Sequence, residues 1–287
     1  MIREFKQNFF LSAGETNAEQ ELSLPLLTSK IIDIATAHAN SLGIGNPSMQ
    51  SLGCGWVLSR IAIEMFRYPS VNQFYSLTTW VESWNRHFSV RNFMISDQNG
   101  EPIGYASSVW MVLNMNTREN YGLSHLSIPA DIISDHPCPI AKFGRHPNIL
   151  VDSEVDVLPR GVVKATIPPV EYTFNYCDLD FYRHVNTVRY VSLLLNTFTL
   201  EEMDQTQIER LEMAFMHESH YGERVTLLRA DQEIRTEDGK VCTQSHFTLT
   251  PATPAAPAPT QLNHTKNYHI NENKFLFRAL DHDISSA

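Results

Sequence analysis

The chain has 287 residues, enough for one large domain or two small ones. Hydrophobic residues make up 43% and charged residues 19%, so a substantial core can form and global disorder is excluded. Lys+Arg number 22 against 32 Asp+Glu, for a net charge of −10. That balance lacks the basic footprint of a sequence-independent nucleic-acid binder or of a polybasic membrane-surface protein.

The N-terminal MIREFKQNFF carries Arg3, Glu4 and Lys6 and has no apolar leader core. No run approaches 18 apolar residues, so no membrane-spanning helix is expected and the expected address is the cytoplasm. Leu27, Ile31, Ile34/Ala35 and Leu42 recur at helical spacing and predict a helix over about 24–42. Ser23 is its candidate N-cap, Pro25 lies in its first turn, and Gly43 ends it. Strands are predicted at Trp56–Pro69, Phe74–Trp84, His87–Asp97 and Gly104–Asn116, with a hairpin turn at DQNG (Asp97–Gly100). Residues 128–148 are rich in Pro, His and Asp, show no period, and read as a linker.

After the linker the order repeats. A strand region is predicted at Val162–Tyr176 and a helix at about 186–200, with Val188, Val191, Leu194/Leu195 and Phe198 as its stripe. Strands follow at Glu209–Ser219, Glu223–Arg235 and Val241–Thr250, with a turn at EDGK (Glu237–Lys240). PATPAAPAPT (Pro251–Thr260) begins a segment, 251–272, expected to be a flexible loop, and NKFLFRAL (Asn273–Leu280) reads as a last strand. One long helix followed by consecutive strands implies an antiparallel sheet with the helix on one face, an α+β arrangement. Two such units in tandem, 1–145 and 146–287, make a double hotdog, each sheet wrapped around one central helix. Laid over each other, the two helix entrances pair Glu15 with Asp178, Asn17 with Asp180 and Glu21 with His184, with almost no identity. Only the second entrance carries a histidine.

Several chemistries are absent from the sequence. Cys54, Cys138, Cys177 and Cys242 form no CxxC pair, so neither a zinc knuckle nor a redox dithiol is expected, nor is a disulfide. There is no GxSxG, and GIGNPS (Gly43–Ser48) lacks the third glycine of a dinucleotide fingerprint. In a strand, His217 and His220 of HESH point to opposite faces and cannot share a metal. The segment DLDFYRHVNTVRY (Asp178–Tyr190) differs from these. It sets carboxylates, a histidine and an asparagine at a helix N-terminus, where free N–H groups and the dipole can hold an oxyanion. Asp180 and His184 have the residue types of a proton-transfer pair. Capping for the aspartates and packing for the histidine are the alternative reading.

DLDFYRHVNTVRYV resembles the signature of the acyl-acyl-carrier-protein (acyl-ACP) thioesterases, which reads roughly DLDxNQHVNNxKY in the plant members. GWVLSRIAIEMFRYP (Gly55–Pro69) resembles the family's GWVLTRxxxxxxRYP, and ASSVWMVLNMNTR (Ala106–Arg118) its ASSVWVxMNxxTR. LEMAFMHES (Leu211–Ser219) falls where the family has a strand ending in Glu-Cys. The resemblance spans most of Phe9–Leu280 and implies a double hotdog whose second half is catalytic. Carried over position by position, it implies Asp180, His184 and Glu218 as catalytic residues. The family's asparagine two positions before the histidine is Tyr182 here, and its cysteine after the glutamate is Ser219. Tyr182 and Asn186 are auxiliary candidates. Glu218 could draw a proton from water with His184 as partner; Asp180 could fix the histidine's tautomer or attack the carbonyl itself.

The first half is then expected to line the acyl pocket, with Leu27, Ile31, Ile34, Trp56, Phe74 and Trp110 as candidates. The implied reaction is hydrolysis of acyl-ACP to free fatty acid and ACP, with no cofactor or metal. A small-thioester or acyl-CoA hydrolase and a non-catalytic acyl-binding or dehydratase-like module are the alternatives. The implied partners are the acyl carrier protein and a fatty acyl chain, with a homodimer as a further expectation. Arg183, Arg189, Lys142, Arg145, Arg160 and Lys164 are the cations expected to meet an acidic carrier.

Overall fold

The computed structural model of the chain describes residues 3–126, 128, 130–147, 169–229 and 233–252. Helix α1 (Leu24–Ser41) starts at Ser23, whose hydroxyl accepts from the Leu26 N–H, and buries Leu27, Ile31 and Ile34 completely. Spacings of four and three residues put these side chains on one face, each worth about 1.5–3 kcal/mol of burial. Helix α3 (Thr187–Leu195) does the same with Val191 and Leu194, and the two helices touch. Two short helices, α2 (Asn46–Ser51) and α4 (Leu200–Gln205), precede long strands.

The strands are β1 (Glu4–Phe10), β2 (Cys54–Met65), β3 (Phe74–Trp84), β4 (Ser89–Asp97), β5 (Pro102–Asn114), β6 (Val170–Thr173), β7 (Thr206–Phe215), β8 (Arg224–Leu228), β9 (Glu233–Thr236) and β10 (Val241–Pro251). They form one antiparallel sheet in the order β1-β3-β4-β5-β2-β7-β10-β9-β8-β6. The order β1-β3-β4-β5-β2 recurs as β6-β8-β9-β10-β7, and the halves join where β2 pairs with β7. One hydrophobic core holds both helix stripes and side chains from both halves, including Leu58, Ile63 and Phe93 of the first and Leu211, Met213 and Ile234 of the second. This is the double hotdog.

The structure corrects the predicted elements in five places. The N-terminal segment is a full edge strand, β1, paired with β3. Helix α3 stops at Leu195 because the Thr197 hydroxyl takes the Leu194 carbonyl, and Thr199 then caps α4 with Glu202 in a reciprocal capping box. The predicted strand 223–235 is a hairpin, β8 and β9. The predicted linker is packed rather than loose: Ile140 and Phe143 are buried against Ala62 of β2 and Ala214 of β7, covering the seam between the halves. Finally, α2 and α4 had no sequence signal beyond their caps. The boundary at 145–146 abuts residues 148–168, and the flexible loop (apart from 251 and 252) and last strand fall within 253–287; both stretches lie outside the described residues.

Candidate active site

The segment before α3 is built by backbone hydrogen bonds that its own side chains complete. A 3-10 turn, Tyr176–Asp178, places the Asp178 carboxylate where it accepts from the Asn175 N–H (2.7 Å) and the Tyr172 hydroxyl (2.9 Å) and forms an ion pair with Arg189 Nε (2.5 Å). Asp178 is 1% exposed, so it pins the loop and does not meet substrate. Asp180 N–H donates to the His184 carbonyl (2.8 Å), while Asp180 Oδ1 accepts from the N–H groups of Tyr182 (2.9 Å) and His184 (3.1 Å). Arg183 closes the turn at φ +65°. Asn186 caps α3, its Oδ1 accepting from the Val188 N–H at 2.9 Å.

The first half repeats this construction. Glu15 accepts from the Ser12 N–H as Asp178 does from Asn175. Asn17 N–H donates to the Glu21 carbonyl (2.8 Å), and Asn17 Oδ1 accepts from the Glu21 N–H (2.7 Å). Gln20, at φ +63°, matches Arg183, and Ser23 matches Asn186 as helix cap. Even the attachment to the following strand agrees: Leu22 donates to the Pro69 carbonyl, and Val185 to that of Ser219, both at 2.9 Å. The register read between the two entrances is therefore that of the fold, although almost no letters match.

Among the described residues only the second loop faces an acid–base partner. His184 bridges to His220, which brings the end of the β7 segment alongside. His184 Nδ1 lies 3.7 Å from Glu218 Oε1, within ion-pair reach and slightly long for a hydrogen bond, a common spacing before substrate binds. The two imidazoles of His184 and His220 meet edge-on at 5.0 Å. The carboxylate beside the His184 ring is thus Glu218, whereas Asp180 meets the His184 backbone. Asp180 Oδ2 carries no hydrogen bond within the described residues.

Tyr182, in the place of the family asparagine, packs its ring on Phe181 at 4.0 Å and turns inward. Its hydroxyl is enclosed beside Gly55 and Met115 and has no hydrogen-bond partner among the described residues. Burial, and then the nearby Asp180 charge, push its pKa up, so it stays a phenol. The N–H groups of Asn186, Val188 and Arg189 are taken by Asp178, Asn186 Oδ1 and the Asn186 carbonyl. The helix entrance expected to hold an oxyanion has spent those donors on its own cap. The exposed Cys177 and the buried Cys242 are both free thiols, and Ser219 donates to the Cys242 sulfur at 3.4 Å.

A residue that the sequence reading did not single out completes the site. Arg118, just after β5 in the first half, places Nη2 on Glu218 Oε1. Its place in the chain gave no hint of this, because the two lie 100 residues apart.

The pocket candidates separate into three groups. Trp56 and Trp110 line a cavity of about 50 Å³ with Ala35, Ala39, Val81 and Ile132. Leu27, Ile31 and Ile34 are wholly in the core and do not line it. Phe74 is 57% exposed and packs on Phe10, so it belongs to the surface of the β1–β3 edge. Arg91, 6% exposed, stands in the wall of that cavity with Nη1 2.8 Å from His38 Nδ1; burial pushes its pKa down to about 10.

Of the cations expected to meet a carrier, Arg189 is bound to Asp178 and Lys142 to Glu82, so neither is a free surface charge. Arg183 and Arg145 are exposed; Arg160 and Lys164 lie outside the described residues. Among the described residues no group of three or more His, Cys, Asp or Glu could hold a metal, and no helix is long and apolar enough to cross a membrane.

Fold and site together define a two-hotdog protein whose second helix entrance carries a histidine–carboxylate pair, His184 and Glu218. The sequence matches the acyl-ACP thioesterase N-terminal domain over residues 3–132 and the acyl-ACP thioesterase C-terminal domain over residues 165–252. The chain belongs to the acyl-ACP thioesterase family. It is similar to the chloroplastic palmitoyl-acyl carrier protein thioesterase of Cuphea hookeriana, 26% identical over 228 residues, which are 75% of this chain and 51% of the relative. It is also 24% identical over 242 residues to the chloroplastic oleoyl-acyl carrier protein thioesterase of Coriandrum sativum, covering 79% of this chain and 63% of the relative. The chain thus spans about half to three fifths of these plant relatives. Among solved structures, an acyl-ACP thioesterase from Bacteroides thetaiotaomicron matches with a TM-score of 0.74 and 30% identity, over 86% of this chain and 98% of that one. A 12:0-ACP thioesterase from Umbellularia californica shares the fold at 16% identity, with a TM-score of 0.68 over 87% of this chain and 95% of that one.

Proposed function

We propose that the chain hydrolyses acyl-ACP thioesters to free fatty acid and ACP, with Asp180, His184 and Glu218 as catalytic residues. The observation that carries this reading is the approach of His184 Nδ1 to Glu218 Oε1 beside a loop that holds Asp180. Glu218 takes the Nδ1 hydrogen and orients the ring, leaving Nε2 as the proton acceptor. Water gives its proton to Nε2 as its oxygen bonds to the thioester carbonyl carbon. When the tetrahedral intermediate collapses the C–S bond breaks, and Nε2–H returns the proton to the departing sulfur. Asp180, with Oδ2 unused by the backbone, orients the water or the carbonyl centre. The cavity lined by Trp56 and Trp110 begins the acyl pocket in the first half. The family match, and relatives named for acyl-carrier substrates, support the carrier as partner.

The test is release of free acid from one acyl group presented on ACP and on coenzyme A. The expected result is a higher kcat/KM on the ACP substrate and a fall of about 10²-fold or more in His184→Ala, in line with a positioned acid–base group. Equal rates for wild type and His184→Ala would leave an acyl-binding module. A preference for the coenzyme A substrate would make the chain an acyl-CoA hydrolase.

A further inference from the structure

We propose that Arg118, supplied by the first half, is a positioning residue that holds Glu218 against His184; this deepens the hydrolase reading and rests on it. The loop after β5 is made to present this side chain. Asn114 Oδ1 accepts from the N–H groups of Asn116 (2.9 Å) and Thr117 (3.1 Å), and Arg118 N–H returns to the Asn114 carbonyl at 2.9 Å. Arg118 itself sits at φ +62°, a left-handed conformation that costs a non-glycine residue about 1–2 kcal/mol. The guanidinium then leans on Met115 Sδ at 3.6 Å and binds Glu218 Oε1, the oxygen that also faces His184 Nδ1.

Magnitudes argue that stability is not the reason for this arrangement. Arg118 and Glu218 are about a third exposed (34% and 35%), and such pairs contribute about 0–1 kcal/mol. That does not exceed the cost of the backbone conformation. Among the described residues, Arg118 and His184 are also the only side chains within ion-pair reach of the Glu218 carboxylate. Glu218 lies beyond the end of β7, on backbone held by the Val185–Ser219 hydrogen bond and the His184–His220 bridge, so it is the side-chain rotamer that still has to be fixed. Arg118 is what limits its rotation, and through it the ring orientation of His184. Each half is therefore required for the chemistry: one brings the acid–base residues, the other fixes the carboxylate.

The experiment is a kinetic cycle on full-length chain with acyl-ACP: wild type, Arg118→Met, Arg118→Lys, Glu218→Gln and the double variant Arg118→Met/Glu218→Gln. Arg118→Met is expected to lower kcat by about 10–100-fold, part of what a positioned base supplies, with KM within about 2-fold of wild type. Arg118→Lys, which keeps the cation, should recover to within about 5-fold. In the Glu218→Gln background, Arg118→Met should cost less than about 2-fold, because its route of action is already cut. Losses that multiply in the double variant would overturn the proposal, as would an unchanged kcat in Arg118→Met. A rise in KM alone would make Arg118 a substrate contact and overturn it too. A wild-type chain that hydrolyses no thioester removes the hydrolase reading itself, an outcome separate from these.

Discussion

Tyr182 is the residue at which this chain departs from the family signature, and its surroundings decide what the change does. The Tyr182 hydroxyl is enclosed and meets no hydrogen-bond partner among the described residues. A buried hydroxyl without a partner is a penalty of about 1–3 kcal/mol. Tyr182→Phe should therefore keep kcat/KM within about 2-fold and leave the melting temperature equal or higher. Tyr182→Asn, which removes the ring from Phe181 and opens a void beside Gly55, should lower both. A tenfold loss in Tyr182→Phe, measured at saturating and limiting acyl-ACP, would show that the hydroxyl gains an acceptor in the complex. At this scale a matched motif and a matched strand end put His184, Asp180 and Glu218 forward as candidates, and the structure brings His184 and Glu218 within ion-pair reach. Arg118 also lay in a matched segment, yet sequence has no signal for a contact formed by a loop crossing from one half to the other. Asp180 shows the opposite limit: its type suggested a partner for the imidazole, and the backbone had the prior claim on one of its oxygens.

At the scale of elements, the long helices were legible from periodicity and caps, and β2 from its loose alternation and its β-branched and aromatic residues. The short elements were not, because α2 and α4 have too few turns for a period to develop. The strand β1 carries Glu4, Lys6, Gln7 and Asn8 and reads as polar, and pairing with β3 overrides that composition. Asn186 illustrates how a cap can be taken for chemistry. Its Oδ1 satisfies the Val188 N–H, a contact worth about 1 kcal/mol. Asn186→Ala should thus lower the melting temperature by about 2–4 °C. Asn186→Asp, which still caps, should restore both the melting temperature and the rate. If Asn186→Asp melts like wild type but turns over no faster than Asn186→Ala, the amide itself takes part in the reaction.

At the scale of the molecule, the sheet repeats its strand order, both helix entrances repeat their hydrogen bonds, and only one entrance faces a histidine–glutamate pair. The first half is consequently an internal control for the second. Asn17 does with an amide oxygen what Asp180 does with a carboxylate: each accepts the N–H four residues on and closes the same turn. An amide is therefore sufficient for the structural job. Asp180→Asn should keep the loop, with a melting temperature within about 2 °C of wild type, because the hydrogen bond that remains is worth about the same 0.5–1.5 kcal/mol. The charge and the unused Oδ2 go, and kcat/KM should fall by about 10²-fold or more. Asn17→Ala is the complementary variant. It removes the turn-closing acceptor from the loop without chemistry, so it should lower the melting temperature and change kcat/KM by less than about 2-fold. Measured side by side on acyl-ACP, the two variants separate the structural from the chemical use of one backbone motif. If both lower the rate to the same extent, Asp180 serves the turn alone, and the reaction belongs to His184 and Glu218.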